Sequence, residues 1–196
     1  MELILVRHGL PERIAPGSGD GPADPGLSPE GWRQAECLAA WLGEERIDAV
    51  YSSPMTRARE TAFPLARLLG MDVATRDGLT EWDRGLDYYV PMEEQKATGH
   101  ADWQTLVNRD WQAMPVDVFL FRDHVSETID AIADEHPGEN VAVVCHGGVI
   151  NAYTSGILGL ADPLFFEPVY SGFSRVLVSR SGVRSIKTLN ESPHLR

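Results

Sequence analysis

The chain begins with an unbroken apolar run, Leu3 to Val6, that stops at the polar tripeptide Arg-His-Gly of residues 7–9. Such a run with β-branched members is typical of a strand that is buried on both faces of a parallel sheet. A second apolar run, residues 141–145, also stops at a His-Gly pair that begins with His146. Ligands of open α/β sheets bind beyond the carboxyl ends of the strands, so both histidines are candidate site residues.

Amphipathic stretches between these runs predict the remaining elements. Ser28 and Pro29 have the residue types of an N-cap and a first helical position, and Ala35 to Leu42 continue at helical spacing. The other predicted elements are helices near 57–69, 125–136 and 149–158 and strands at 47–51, 73–74, 176–178 and 183–186. This alternation predicts an α/β fold, a three-layer sandwich with a mostly parallel central sheet flanked by helices. We expect one domain over residues 1–196 and a frayed tail from Asn190.

Residues 83–122 do not fit the strand and helix alternation and are predicted to form a small cap insertion. Trp103, Val107 and Trp111 are spaced for one face of a helix in this stretch. Such an aromatic stripe is the ordinary core of a small subdomain, and its position between site-bearing strands also suggests a cover over the site.

Composition and charge exclude several classes of partner. The chain has 196 residues and a net charge of −12, which disfavours binding to nucleic acids and to anionic membranes. It has no apolar run long enough to cross a bilayer, and its beginning lacks the pattern of a signal peptide. The two cysteines, Cys37 and Cys145, do not form a disulfide framework, so a cytoplasmic location with free thiols is expected.

The candidate chemistry comes from two histidines, two arginines and a carboxylate pair. Arg57 lies in the first turn of a predicted helix, where a cation is unfavourable unless an anion offsets it. A metal site is one alternative, but Arg7 beside His8 opposes a bound cation. Serine hydrolysis through Ser52 or Ser53 is another, although neither serine lies in a Gly-x-Ser-x-Gly motif. The third alternative is phosphoryl transfer, in which arginines and one histidine hold a dianion that the other histidine attacks.

Five segments together resemble the histidine phosphatase superfamily, the phosphoglycerate-mutase-like proteins. Leu-Val-Arg-His-Gly at residues 5–9 is similar to the family's Arg-His-Gly motif, and Val-Cys-His-Gly-Gly at residues 144–148 to its second histidine motif. The other three are the segments at residues 24–35, 52–62 and 79–81, which resemble its Asp-x-x-Leu-Thr/Ser-x-x-Gly-x-x-Gln-Ala, Ser-x-x-x-Arg-Ala-x-x-Thr-Ala and Leu-x-Glu segments. The resemblance covers most of the chain outside the cap.

The resemblance implies a role for each matching residue. His8 would attack phosphorus and become phosphohistidine, while Arg7, Arg57, His146 and Gly147 would hold the phosphoryl oxygens. Glu81 would protonate the leaving alcohol and then deprotonate water, with Asp83 as the fallback acid. In this scheme His8 must be unprotonated, whereas His146 is better protonated. The family needs no metal and no cofactor, and the expected ligand is a small phosphate monoester or inorganic phosphate.

The chain departs from the mutase branch of that family at two positions. Ile14 and Gly148 stand where asparagines are expected, the first of them a phosphate contact. The cap also lacks a run of paired arginines for a substrate that carries a carboxylate. These departures favour a metal-independent phosphomonoesterase over a phosphoglycerate mutase, which is the alternative enzyme. A catalytically inactive family member that serves as a binding module is the alternative from another class.

Overall fold

The computed structural model describes residues 1–196 and contains one six-stranded sheet in the order β3-β2-β4-β1-β5-β6. The strands are β1 (Glu2–Arg7), β2 (Ala49–Ser52), β3 (Val73–Thr75), β4 (Asn140–Cys145), β5 (Phe173–Val178) and β6 (Arg184–Glu191). The pairings among β3, β2, β4 and β1 are parallel, whereas β5 pairs antiparallel with both of its neighbours. The predicted α/β fold with a mostly parallel sheet is confirmed.

Four of the six helices, the first two and the last two, cover the faces of this sheet. The six helices are α1 (Pro29–Leu42), α2 (Thr56–Leu69), α3 (Met92–Thr98), α4 (Ala101–Val107), α5 (Val118–Glu135) and α6 (Gly147–Leu158). Side chains alternate between the faces of a strand, so Leu3 and Leu5 of β1 pack in one cluster with α5 and α6. Ile4 and Val6 pack in the other with α1 and α2. An apolar strand between two helical layers is the three-layer arrangement that its sequence predicts.

The register of the central strands places the two histidines side by side. Arg7, at the end of β1, pairs with Cys145, at the end of the parallel neighbour β4. The next residue of each strand, His8 and His146, therefore leaves the sheet at the same edge. This is the edge at which open α/β sheets bind ligands.

The region predicted as a cap holds the two short helices α3 and α4. Helix α4 ends at Val107, so Trp111 does not share a helical face with Trp103, and that expectation is wrong. Helix α5 begins at Val118. The side chain of Asp117 caps it by accepting from the backbone N–H groups of Phe119 and Leu120. Residues 118–122 thus belong to a core helix rather than to the insertion. The division of the chain into one domain stays a prediction.

The expectation of a frayed tail is also wrong. Strand β6 continues to Glu191, and a 3₁₀ turn over Pro193–Leu195 follows it. The ring of His194 stacks on Phe173 with ring centroids 5.9 Å apart. The side chain of Asn190 accepts from the N–H of Val169 at 2.8 Å. These tertiary contacts order a terminal segment whose sequence carries no strong local signal.

No helix of the chain is long and apolar enough to cross a membrane.

Candidate active site

A cavity of about 360 Å³ opens where the central parallel strands end. Four of the predicted site residues line it, namely Arg7, His8, Arg57 and Glu81, and all four are buried. Gly147, at the start of α6, lines it as well. His146 is fully buried and does not line the cavity, but its ring centroid lies 5.1 Å from that of His8. The structure thus brings all six predicted residues into one place.

One ring nitrogen of His8 is held and the other is left free. Nδ1 lies 2.8 Å from the carbonyl oxygen of Gly9, which can only accept, so Nδ1 carries the proton. Burial, followed by the charges of Arg57 and Arg7, holds the pKa of His8 well below its usual range. His8 is therefore neutral and offers an unprotonated Nε2, which is the form that a nucleophile requires.

Gly9 is needed because two backbone segments come close together there. A Cβ at Gly9 would lie 2.7 Å from the carbonyl oxygen of Gly31 in α1. The N–H of Gly9 donates to Oγ1 of Thr61 at 2.9 Å, and this hydroxyl donates to the carbonyl oxygen of Arg57 at 2.7 Å. Thr61 therefore ties the segment that follows His8 to the helix of Arg57. Sequence reasoning assigned Thr61 no such role, because a threonine inside a helix carries no local signal for it.

Arg57 is buried, and one of its three nitrogens is paired. Its Nη2 donates to both carboxylate oxygens of Asp83, at 2.8 and 2.9 Å. Its guanidinium carbon lies 4.8 Å from the ring centroid of Tyr89. Nε and Nη1 are buried and have no hydrogen-bond partner. Asp83 is thus the anion that offsets the charge of Arg57 in the first turn of α2. Because Asp83 is paired in this way, Glu81 is the better candidate for the acid.

Arg7 is held over an aromatic ring that the sequence did not identify. Its guanidinium carbon lies 3.7 Å from the ring centroid of Tyr170, which is a cation–π contact. Its Nη1 donates to the carbonyl oxygen of Pro168, while its Nε is buried without a partner. Both contacts come from the segment before β5, which is remote from Arg7 along the chain. They leave Nε beside Gly147, the start of α6.

Glu81 is held by the backbone at the N-terminus of α6. Its Oε2 accepts from the N–H of Gly148 at 2.7 Å, and its Oε1 accepts from the N–H of Trp82 at 3.1 Å. Burial, followed by the charge of Asp83, raises the pKa of Glu81 to about 7. A carboxyl group with this pKa is able to give and take a proton near neutral pH.

The structure shows what surrounds Gly148 and Ile14, the two positions where the mutase branch has asparagine. A Cβ at Gly148 would overlap Oε1 of Glu81 and come within 2.9 Å of Cδ1 of Trp82, so a side chain there would displace the Glu81 carboxylate. Ile14 exchanges two backbone hydrogen bonds with Tyr89, at 2.9 and 3.0 Å, and so links the loop before α1 to the ring over Arg57. Both departures from the mutase pattern are accommodated without disturbing the central residues.

In this structure the surroundings of His146 disfavour the protonated form that the resemblance implies. Burial, followed by the charge of Arg57, holds the pKa of His146 well below its usual range. Its Nε2 lies 2.8 Å from Oγ of Ser53, and this oxygen already accepts from the N–H of Met55. The Ser53 hydroxyl can donate to Nε2, which leaves the proton of a neutral His146 on Nδ1. His146 can thus act as a hydrogen-bond donor without a charge.

The site contains an unusual number of buried donors without acceptors. They are Nε of Arg7, Nε and Nη1 of Arg57 and Nδ1 of His146. Buried polar groups are normally hydrogen-bonded, so this set calls for a ligand with several acceptor oxygens. The two guanidinium groups also supply more positive charge than Asp83 neutralises. No group of three or more His, Cys, Asp or Glu side chains is placed to hold a metal ion. The arrangement fits an oxyanion such as phosphate.

Comparison with known proteins agrees with this geometry. The profile of the histidine phosphatase superfamily (branch 1) matches residues 3–191. Phosphoserine phosphatase 1 of Hydrogenobacter thermophilus is 29% identical over 164 residues, which cover 82% of this chain and 77% of that protein. A metal-independent phosphoserine phosphatase of Arabidopsis thaliana is 32% identical over 157 residues, 77% of this chain and 66% of that protein.

A solved structure has the same fold. Phosphoserine phosphatase from Entamoeba histolytica, crystallised with 3-phosphoglyceric acid, superposes with a TM-score of 0.75 at 21% identity, covering 100% of this chain and 99% of that one. The chain belongs to the histidine phosphatase superfamily. It is a phosphatase, a hydrolase of phosphate monoesters, as its sequence motifs predict.

Proposed function

We propose that the protein is a metal-independent phosphomonoesterase that hydrolyses a small phosphorylated metabolite through a phosphohistidine on His8. The set of buried, unpaired N–H groups beside His8 carries this proposal, because a phosphoryl group would supply their missing acceptors. The names of the similar proteins support the same reaction. A cytoplasmic location, expected from the two free cysteines, belongs to the proposal as well.

In the first half-reaction the phosphoryl group passes from substrate to enzyme. Nε2 of His8 forms a bond to phosphorus as the bond from phosphorus to the ester oxygen breaks. The free N–H groups of Arg7, Arg57 and His146, together with the backbone near Gly147, hold the three equatorial oxygens. Protonated Glu81 gives its proton to the departing alcohol oxygen.

In the second half-reaction water replaces the alcohol. The Glu81 carboxylate takes a proton from water, whose oxygen attacks phosphorus while the bond to Nε2 of His8 breaks. Inorganic phosphate leaves, and both residues return to their starting protonation states. A pKa of about 7 lets Glu81 serve as the acid in one step and as the base in the next.

The decisive experiment is hydrolysis of p-nitrophenyl phosphate in the presence of EDTA. We expect the wild type to turn over and His8→Ala to lose at least roughly 10³-fold in kcat, because the nucleophile is gone. His124→Ala is the matched control, since this histidine lies on an exposed part of α5. Rapid acid-free quenching followed by mass spectrometry should show one added phosphoryl group on the wild type and none on His8→Ala.

The alternatives give different results in the same assay. A wild type without turnover from pH 5 to 8, with phosphate still binding, would identify an inactive binding module. Faster conversion of 3-phosphoglycerate to 2-phosphoglycerate than release of free phosphate would identify a mutase. Loss of turnover on adding EDTA would contradict the metal-independent mechanism.

A further inference from the structure

The cavity extends well beyond the groups that the phosphoryl chemistry uses. Its outer part is formed by the two short helices α3 and α4, the segment before α3 and the segment after α6. Apolar side chains dominate this part, and they are Leu86, Met92, Trp103, Leu106, Val107, Leu164, Phe165 and Phe166. A phosphate group has no use for such a surface, so this lining bears on the remainder of the substrate.

The charged side chains in this outer part already have partners. Arg109 forms an ion pair with Asp162, and Glu167 forms one with Lys96. Asp102 accepts from the hydroxyl of Tyr88 at distances of 3.1 and 3.0 Å. Beyond Arg7 and Arg57, the cavity therefore offers no unpaired cation to a substrate carboxylate. It presents instead the carboxylate of Asp102, which repels one.

We infer that the alcohol portion of the substrate is apolar and uncharged, and that its ring or hydrocarbon chain lies against Trp103 and Phe166. This inference rests on the proposed phosphatase function and concerns the same site. An anionic alcohol, such as one that carries a carboxylate, would lose its hydration here without gaining a partner. The inference separates this chain from the phosphoserine phosphatases that it resembles. A cavity of about 360 Å³ accommodates one ring beside the phosphoryl group.

A series of alkyl phosphates tests this inference without bias from leaving-group reactivity. The substrates are 2-phenylethyl phosphate, ethyl phosphate, O-phosphoserine and 3-phosphoglycerate, all esters of aliphatic alcohols. We expect kcat/KM for 2-phenylethyl phosphate to exceed that for ethyl phosphate by roughly 10- to 100-fold, as burial of an aromatic ring predicts. We expect O-phosphoserine and 3-phosphoglycerate to lie at or below ethyl phosphate.

Three variants connect the preference to the lining. Trp103→Ala should lower the ratio of kcat/KM for 2-phenylethyl phosphate to that for ethyl phosphate by roughly tenfold, because the ring loses its neighbour. Trp111→Ala is the matched control, since this cap tryptophan does not line the cavity. Val107→Arg, at an exposed lining position, should raise the ratio for O-phosphoserine to ethyl phosphate several-fold by supplying a cation.

The outcomes separate this inference from the function on which it rests. Hydrolysis of O-phosphoserine or 3-phosphoglycerate as fast as that of 2-phenylethyl phosphate would overturn the inference and leave the phosphatase intact. Loss of such activity in Arg109→Gln would then identify Arg109 as the carboxylate ligand. Failure to hydrolyse every ester, p-nitrophenyl phosphate included, would instead overturn the proposed function.

Discussion

Asp83 accepts both of its hydrogen bonds from a single nitrogen of Arg57, Nη2, at 2.8 and 2.9 Å. The guanidinium is thereby held in place while Nε and Nη1 stay free for another acceptor. The same negative charge is, after burial, the second cause that raises the pKa of Glu81 to about 7. The Asp83 carboxylate thus orients Arg57, which is proposed to bind the phosphate. It also favours the protonated form of Glu81, the proposed acid.

The first prediction concerns Asp83→Asn, which removes this charge but keeps the shape of the side chain. We expect the pKa of Glu81 to fall, so the alkaline limb of the profile of kcat/KM against pH should move to lower pH. Misplacement of Arg57 should also lower kcat/KM by up to roughly 100-fold. Asp110→Asn is the control, because it makes the same charge change at an exposed cap position. An unmoved alkaline limb would show that Asp83 does not influence Glu81.

A second prediction compares two arginines on the same helix. Arg57 is buried in the cavity wall, whereas Arg59 is exposed and does not line the cavity. Arg57→Ala should reduce kcat for phosphate ester hydrolysis by roughly 10²- to 10³-fold, as loss of one donor to developing charge does. Arg59→Ala should stay within about twofold of the wild type. Equal losses in both variants would point to general electrostatic attraction rather than to a positioned ligand.

The role of Glu81 can be tested by varying how much the leaving group needs a proton. In Glu81→Gln, hydrolysis of an alkyl phosphate should fall by roughly 10²- to 10⁴-fold, because the alcohol must leave unprotonated. With p-nitrophenyl phosphate the rate of phosphoenzyme formation should fall much less in this variant, since nitrophenolate leaves readily without a proton. Burst kinetics separate this step from hydrolysis of the intermediate. Equal losses for both substrates in the burst would contradict general acid catalysis by Glu81.

The pH profile itself provides a fourth prediction. In the proposed mechanism His8 reacts in its neutral form, so kcat/KM for an alkyl phosphate should fall as the pH drops through the depressed pKa of His8. Glu81 would react in its protonated form, so kcat/KM should fall as the pH rises through about 7. The profile should therefore be a bell with its optimum on the acidic side of 7. An activity that continues to rise above pH 8 would contradict the assignment of Glu81 as the acid.

The last prediction uses two glycines of α6. Gly148→Ala should displace the carboxylate of Glu81, because the new Cβ would overlap Oε1, and should lower kcat/KM for alkyl phosphates by roughly 10²-fold. Gly156→Ala is the matched control, since the nearest side-chain atom lies 4.0 Å from its Cβ. Its activity should be unchanged and its free energy of unfolding higher by about 0.5–1 kcal/mol. Urea denaturation and the alkyl phosphate assay measure both effects.

Much of this protein was determined by its sequence. The apolar runs before His8 and His146 specify strands buried on both faces, and such strands in a parallel sheet bring their carboxyl ends to one edge. The structure therefore brings together the six residues that the motifs single out. Because Arg7 of β1 pairs with Cys145 of β4, two motifs that are distant in the sequence lie side by side.

The tertiary structure decided what surrounds each of these residues. The pairing of Asp83 with Arg57, the Tyr170 ring under Arg7 and the neutral His146 all depend on contacts between remote segments. The ordered tail depends on such contacts too. Periodicity reports which face of an element is buried but not which side chain lies opposite it. Hydrogen bonds, pKa values and the apolar outer cavity follow from those partners, so only the folded chain decides them.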